Sequence, residues 1–245
     1  DKELALKTKE FKERLKKVVI SIADTKEQNS DIEIRDGLVF LDSLETKITW
    51  QELISKAFEQ RVSLSEHAHY ATPDVRFDWS TGKGHPFSYH VYGTSVTQVT
   101  VDCIRGNYEI DFVKVVHDYG QSMNPMIDLG QIEGGIVQGI GWMTCEDVFY
   151  DEKGKLRSNA LSTYKIPDIY AAPKEIDIIP LITDKENLAI LQSKAVGEPP
   201  LMYGLGTYFA IENAIQSFNP TVPRRMNAPY TPEKVLLALY GSKDL

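Results

Sequence analysis

Glu198 is followed by two prolines in the run Ser193-Lys-Ala-Val-Gly-Glu-Pro-Pro-Leu201. A proline pushes the residue before it toward extended backbone, and its ring stiffens the chain that follows. With apolar stretches on both sides, the pattern predicts a buried carboxylate held rigidly. Burial disfavours the charged form, so the pKa of such a group rises and it suits general acid/base work. The same residue types also serve in a surface turn or as a cap on the helix that follows.

A second unusual stretch is Pro125 to Tyr150, where Ile132, Ile136, Ile140 and Met143 keep helical spacing while glycines stand at 130, 134, 135, 139 and 141. Each glycine costs a helix about 1 kcal/mol relative to alanine, so the stretch gains by letting something approach its backbone closely. That neighbour is another helix or a ligand. Composition alone leaves both open, with helix packing the plainer of the two.

The five histidines carry no comparable signal. His67 and His69 could share one face of a strand, but no third ligand stands at metal spacing and no H-E-x-x-H pattern occurs. His85, His90 and His117 are isolated, so ordinary packing or surface roles are expected for all five, with no metal held by side chains. There is no G-x-S-x-G elbow, and neither cysteine sits in a recognisable reactive setting. Gly204-Leu-Gly206 lacks the third glycine and the preceding βαβ unit of a dinucleotide site.

The elements that must position these groups are readable in outline. In residues 3–23, Leu4, Phe11, Leu15, Val18 and Ile22 fall at spacings of an amphipathic helix. Asp36-Gly37 divides two short alternating runs between Asp31 and Leu41, a hairpin signal. Thr49 and Glu52 form a capping box before a helix reaching to about Gln60. Arg61 to Pro86 loses all period and reads as a long irregular connection. Tyr89–Cys103 and Tyr108–Asp118 are then valine-, tyrosine- and threonine-rich strands joined at Arg105-Gly106-Asn107. A hairpin-like region around Tyr164 and an apolar run, Asn187 to Leu191, lead to Glu198. Gly204–Ser217 is a further helix, and Thr231-Pro232 opens a last one that stops at Gly241. Helices mixed with antiparallel hairpins, without regular βαβ alternation, predict an α+β fold.

Composition bounds the function. The 245 residues carry 27 basic and 35 acidic side chains, a net charge of -8, which argues against nucleic-acid binding by bulk charge. Two cysteines cannot hold an iron–sulfur cluster or a four-thiolate zinc site, and they point to a reducing compartment, hence the cytoplasm. No run of eighteen apolar residues suits a membrane span. The chain begins at Asp1 rather than methionine, as a piece of something larger would.

Ser122-Met-Asn-Pro125, Asp128-Leu-Gly-Gln-Ile-Glu-Gly-Gly135, Val137-Gln-Gly139, Ser162-Thr-Tyr-Lys-Ile-Pro167 and Ser193 to Leu201 together resemble the C-terminal part of the molybdenum hydroxylases. This is the family of the xanthine dehydrogenases and aldehyde oxidases. The resemblance runs from about Arg61 to Ile215 in the same order and at similar separations, and leans toward the xanthine dehydrogenase type.

The resemblance implies a molybdenum-cofactor-binding fold, with residues 1–60 as a helix–hairpin–helix lead-in and 61–245 as the cofactor and active-site portion. It implies hydroxylation of a purine or related N-heterocycle with oxygen derived from water. Glu198 would be the general base, and Gln131 and Gly197 would bind the molybdenum–pterin cofactor. Iron–sulfur clusters and FAD would lie in other domains or subunits, and the complete assembly would be a dimer. Alone, the chain would supply a base and one wall of a cofactor site without turning over substrate. An aldehyde oxidoreductase of the same family is one alternative; a non-catalytic interaction domain that keeps the fold is another, and it predicts a filled or solvent-open surface where Gln131 and Glu198 should converge, or the two side chains on opposite faces.

Overall fold

A computed structural model describes residues 2–23, 31–182, 189–224 and 227–241. The chain divides into two compact units, Asp1–Pro73 and Asp74–Leu245.

In the first unit, α1 (Lys2–Ala23) precedes a three-stranded antiparallel sheet, β1 (Ile32–Arg35), β2 (Leu38–Leu41) and β3 (Leu44–Thr49), and then α2 (Trp50–Glu59). The expected stripe on α1 is real: Leu15 and Val18 are buried and Phe11 and Ile22 pack beside them, while the side chain of Leu4 lies outside the described residues. Asp36 and Gly37 both adopt positive φ, as a tight hairpin turn requires. At the start of α2 the Glu52 amide donates to Thr49 Oγ1 at 3.2 Å and the Thr49 amide donates to Glu52 Oε2 at 2.8 Å. β3 was not expected from the sequence. It pairs with β2 through a second positive-φ turn at Asp42-Ser43, which no glycine marks.

The second unit opens with a small hairpin, β4 (Arg76–Asp78) and β5 (Lys83–His85), inside the stretch expected to be irregular. Three-residue strands are too short to show alternation, and both are exposed throughout. Next, β6 (Gly93–Val101) and β7 (Tyr108–His117) form the long expected hairpin. Residue 111 has no partner in the register, since Gln98 pairs with Phe112 and Val99 with Ile110. The bulge shifts the buried face of β7 from Ile110 to Val113, Val115 and His117.

After β7 the chain forms α3 (Pro125–Thr144) and returns as β8 (Glu175–Pro180), which pairs parallel with β7. The sheet is therefore mixed, one antiparallel and one parallel pairing, within the expected α+β class. Ile132, Ile136 and Ile140 on one face of α3 pack against Ile110, Val113 and Val115. The helix therefore lies across the sheet, fixed by its isoleucine stripe. Of the run Asn187–Leu191, residues 187 and 188 lie outside the described residues, and Ile190–Gln192 form a 3-10 turn. A 3-10 helix (Pro199–Gly204) continues directly into α4 (Leu205–Phe218), whose Tyr208, Ile211 and Ile215 share a core with Val235 and Leu239 of α5 (Pro232–Leu239).

Candidate functional site

The site is built where β7 ends. Beyond His117 the chain turns through Asp118, Tyr119 and Gly120 toward α3, and residues 192–194 run antiparallel beside that turn. The Gln121 amide donates to Gln192 O at 2.9 Å, and the Lys194 amide donates to Tyr119 O at 2.9 Å. Gly120 has φ +67, and a Cβ there would stand 2.4 Å from Gln192 O, so only glycine permits the two segments to lie so close. Lys194 Nζ lies 2.5 Å from Asp118 Oδ2, with the two side chains only 8% and 0% exposed. This buried pair draws the segment that carries Glu198 onto the end of β7.

Four residues after Lys194 the chain reaches Glu198 and the Pro199–Gly204 helix, which packs along α3. A Cβ on Gly135 would stand 2.8 Å from Gly197 O, one on Gly139 2.0 Å from Leu201 O, and one on Gly141 2.5 Å from Pro167. These three glycines are explained by contacts within the chain. Gly130 and Gly134 are not: nothing stands within 4 Å of a Cβ at either position. The helix itself starts cleanly, with Asn124 capping the Ile127 amide, Pro125 in the first turn, and Ser122 Oγ donating to Asp128 Oδ2 at 2.5 Å.

Gln131 belongs to this glycine-rich helix and lies beside Gly197: an ideal Cβ on Gly197 would stand 2.9 Å from Gln131 Oε1. Gln131, Gly197 and Glu198 are therefore brought together from two elements more than sixty positions apart in the sequence. Two expectations for Glu198 are corrected. Its backbone is helical, φ -87 and ψ -44, rather than extended, because the Leu201 amide donates to Glu198 O at 3.1 Å and starts the 3-10 helix at Pro199. Its side chain is exposed rather than buried, as is Gln131, because the apolar residues on both sides of Glu198 pack back onto α3 and β7 and leave the carboxylate on their outer edge. Among the described residues nothing covers the carboxylate with an apolar wall.

Among the described residues no group of three His, Cys, Asp or Glu side chains could hold a metal ion. His67, His69, His85 and His90 are exposed. Cys103 and Cys145 are free thiols, and burial pushes that of Cys145 up. In Ser162–Pro167, the Tyr164 hydroxyl donates to Glu146 and Pro167 rests against Gly141, so this motif braces the end of α3.

Two buried pairs that flank Glu198 along the chain are not signalled by sequence spacing. One is Asp118–Lys194. The other is His117–Tyr203, with His117 Nδ1 2.7 Å from the Tyr203 hydroxyl and the rings edge-on at 5.5 Å. Burial holds the His117 imidazole below the ordinary histidine range, against the opposing pull of Asp118, and it pushes the Tyr203 hydroxyl up. The signal that could have found them is the polar doublet His117-Asp118 closing an apolar strand, where both side chains end up fully buried.

Residues 6–173 match the family model described as "Molybdopterin cofactor-binding domain". The matched span includes Gln131 and ends before Glu198. Xanthine dehydrogenase/oxidase of Gallus gallus is 40% identical over 193 residues, covering 77% of this chain and 14% of that protein. Aldehyde oxidase 1 of Oryctolagus cuniculus is 36% identical over 194 residues, covering 78% and 14%. The chain thus spans 14% of the length of these relatives. Among solved structures, quinoline 2-oxidoreductase from Pseudomonas putida 86 shares the fold at a TM-score of 0.60 and 22% identity, over 95% of this chain and 28% of that one. The aldehyde oxidoreductase of Desulfovibrio gigas matches at 0.53 and 35% identity, over 65% and 16%.

Proposed function

Because the chain belongs to the family of molybdopterin cofactor-binding domains, we propose that it is the C-terminal cofactor-binding portion of a xanthine dehydrogenase-like hydroxylase. In this reading Glu198 is the general base, and Gln131 and Gly197 contact the pterin. The observation that carries it is the meeting of Gln131 with Gly197, one residue before Glu198, on an exposed edge of the second unit. The residues fit the cofactor: Gln131 offers an amide donor and acceptor, and a Cβ at Gly130 or Gly134 would meet nothing, so a group can approach that turn of α3 closely.

When bound, the molybdenum–pterin group supplies the two-electron acceptor for hydroxylation, with the oxygen coming from water. The chain supplies the proton acceptor. Glu198 takes and holds a proton at its carboxylate, which works best when water is excluded and the carboxylate lies within about 3 Å of the proton it removes. The desolvation that this chain does not provide comes from the rest of the enzyme, which also carries the iron–sulfur clusters and FAD. The polypeptide by itself is inactive, and the complete assembly is a cytoplasmic dimer. No described helix is long and apolar enough to cross a membrane.

The substrate is a purine or related N-heterocycle. A second reading, an aldehyde substrate, is favoured by the nearly equal identity to an aldehyde oxidase. Replacing Glu198 with alanine in the reconstituted complex, assayed with xanthine and with benzaldehyde, tests both points. Turnover should collapse while molybdenum content stays, and the substrate that was turned over identifies the class. Near-native turnover by the variant rejects the base assignment.

A further inference from the structure

His117 and Asp118 are consecutive, close β7, and are both fully buried. Each is tied to the segment that carries Glu198, but on opposite sides of it. Asp118 pairs with Lys194, four positions before Glu198, and His117 meets Tyr203, five positions after it. Lys194 Nζ also donates to His90 O at 3.0 Å, so its ammonium is fixed from two directions. On the other side, Gly93 faces His117 in the β6–β7 register, and a Cβ there would overlap the Tyr203 hydroxyl. Only a residue without a side chain leaves the room that lets Tyr203 reach the histidine.

Stability alone does not account for this arrangement. His117 Nε2 is buried with no hydrogen-bond partner among the described residues, and an apolar side chain would avoid that penalty. A buried ion pair is likewise a weak source of stability compared with well-packed apolar residues, and its best-attested use is fixing one geometry. What the two pairs do provide is a fixed path for residues 194–203.

We infer that His117–Tyr203 and Asp118–Lys194 form a two-point clamp whose four side chains are positioning residues for Glu198. The inference rests on the reading of Glu198 as the base. With the loop held at both ends and Gly135 and Gly139 pressed against its middle, the backbone from which the Glu198 carboxylate projects keeps one place. A base displaced by about 1 Å can lose up to about a hundredfold in rate, so loosening one anchor is expected to appear in kcat.

The test uses two readouts. Hydrogen exchange on the full chain reports the loop itself. Tyr203→Phe, which removes one hydroxyl, should speed exchange of the amides between 195 and 204 while those of β7 and α4 keep their protection. In the assembled hydroxylase, assayed with xanthine or benzaldehyde, whichever it turns over, Tyr203→Phe should lower kcat about tenfold with KM and molybdenum content unchanged. His117→Asn, whose amide can meet the tyrosine where Nδ1 stands, should retain more activity than His117→Leu.

Glu198→Ala is run in parallel. If it collapses turnover while Tyr203→Phe keeps full kcat, the clamp is not a positioning device, and the inference falls. Faster exchange throughout β7 and α4 also overturns it, in favour of a general structural role. If Glu198→Ala keeps turnover while Tyr203→Phe still loosens only 195–204, the base reading fails and takes the positioning role with it, leaving the two pairs as anchors of the loop backbone alone.

Discussion

Gly139 and Gly204 meet backbone to backbone: a Cβ on Gly204 would stand 2.2 Å from the carbonyl carbon of Gly139. The 3-10 helix that follows Glu198 can seat on α3 only because neither residue has a side chain at this crossing. A glycine that costs helix stability locally is thus repaired by packing.

Two alanine substitutions on the same helix should therefore act with opposite sign. Gly139→Ala drives a methyl into Leu201 O, 2.0 Å away, and should destabilise by about 1–3 kcal/mol, as overpacking does. Gly134→Ala meets nothing and should stabilise by up to about 1 kcal/mol through helix propensity. Denaturant unfolding of both variants measures this, and equal effects at the two positions would refute the crossing.

Lys194→Met leaves the Asp118 carboxylate buried with, among the described residues, only the Gly120 amide, 3.1 Å away, to satisfy it. Breaking one side of a buried pair costs about 3–5 kcal/mol because the remaining charge is uncompensated. Asp118→Asn combined with Lys194→Met removes both charges and should recover a large part of the loss. A double-mutant cycle on unfolding free energies checks the coupling.

The sequence was most legible where the determinants are local. The Asp36-Gly37 turn, the Thr49–Glu52 capping box and the isoleucine stripe of α3 each depend on residues within a few positions of one another, and each formed as expected. The parallel pairing of β8 with β7 depends on residues some sixty positions away, such as Phe112 and Glu175, and no local pattern announces it. Glu198 illustrates a different limit. Its apolar flanks predict burial of the carboxylate, but Pro200 and Gly204 are buried against α3 and leave Glu198 outside. The glycine-rich helix divided in the same way: packing explains 135, 139 and 141, whereas a Cβ at 130 or 134 would meet nothing within 4 Å.

His117 sets a pH dependence. Burial disfavours its imidazolium, so its pKa in the folded chain is below the ordinary value of about 6.5 that it regains on unfolding. Between these two values the unfolded chain binds more protons than the folded one, and stability rises with pH. The His117 contribution is fully present above pH ~6.5 and is lost as the pH falls toward the folded pKa. Unfolding free energies measured from pH 7.5 down to 5 should show this slope, and His117→Leu should flatten it. A slope that survives the substitution unchanged assigns the effect elsewhere.

Gln131, which stands beside Gly197, and Glu198, the next residue along, should fail differently. Gln131 carries no titratable proton, so in the proposed site its carboxamide can only bind. A hydrogen bond of this kind is worth about 0.5–1.5 kcal/mol, or roughly two- to twelvefold in affinity. Gln131→Ala in the assembled hydroxylase should lower molybdenum and pterin content while each loaded enzyme keeps most of its turnover. Glu198→Ala should do the reverse, filling normally and turning over poorly. Metal and pterin analysis beside kcat per bound molybdenum separates the two. Should Gln131→Ala fill completely and yet lose turnover, the amide acts on the reaction rather than on retention of the cofactor, and the division of labour between α3 and the Glu198 loop must be redrawn.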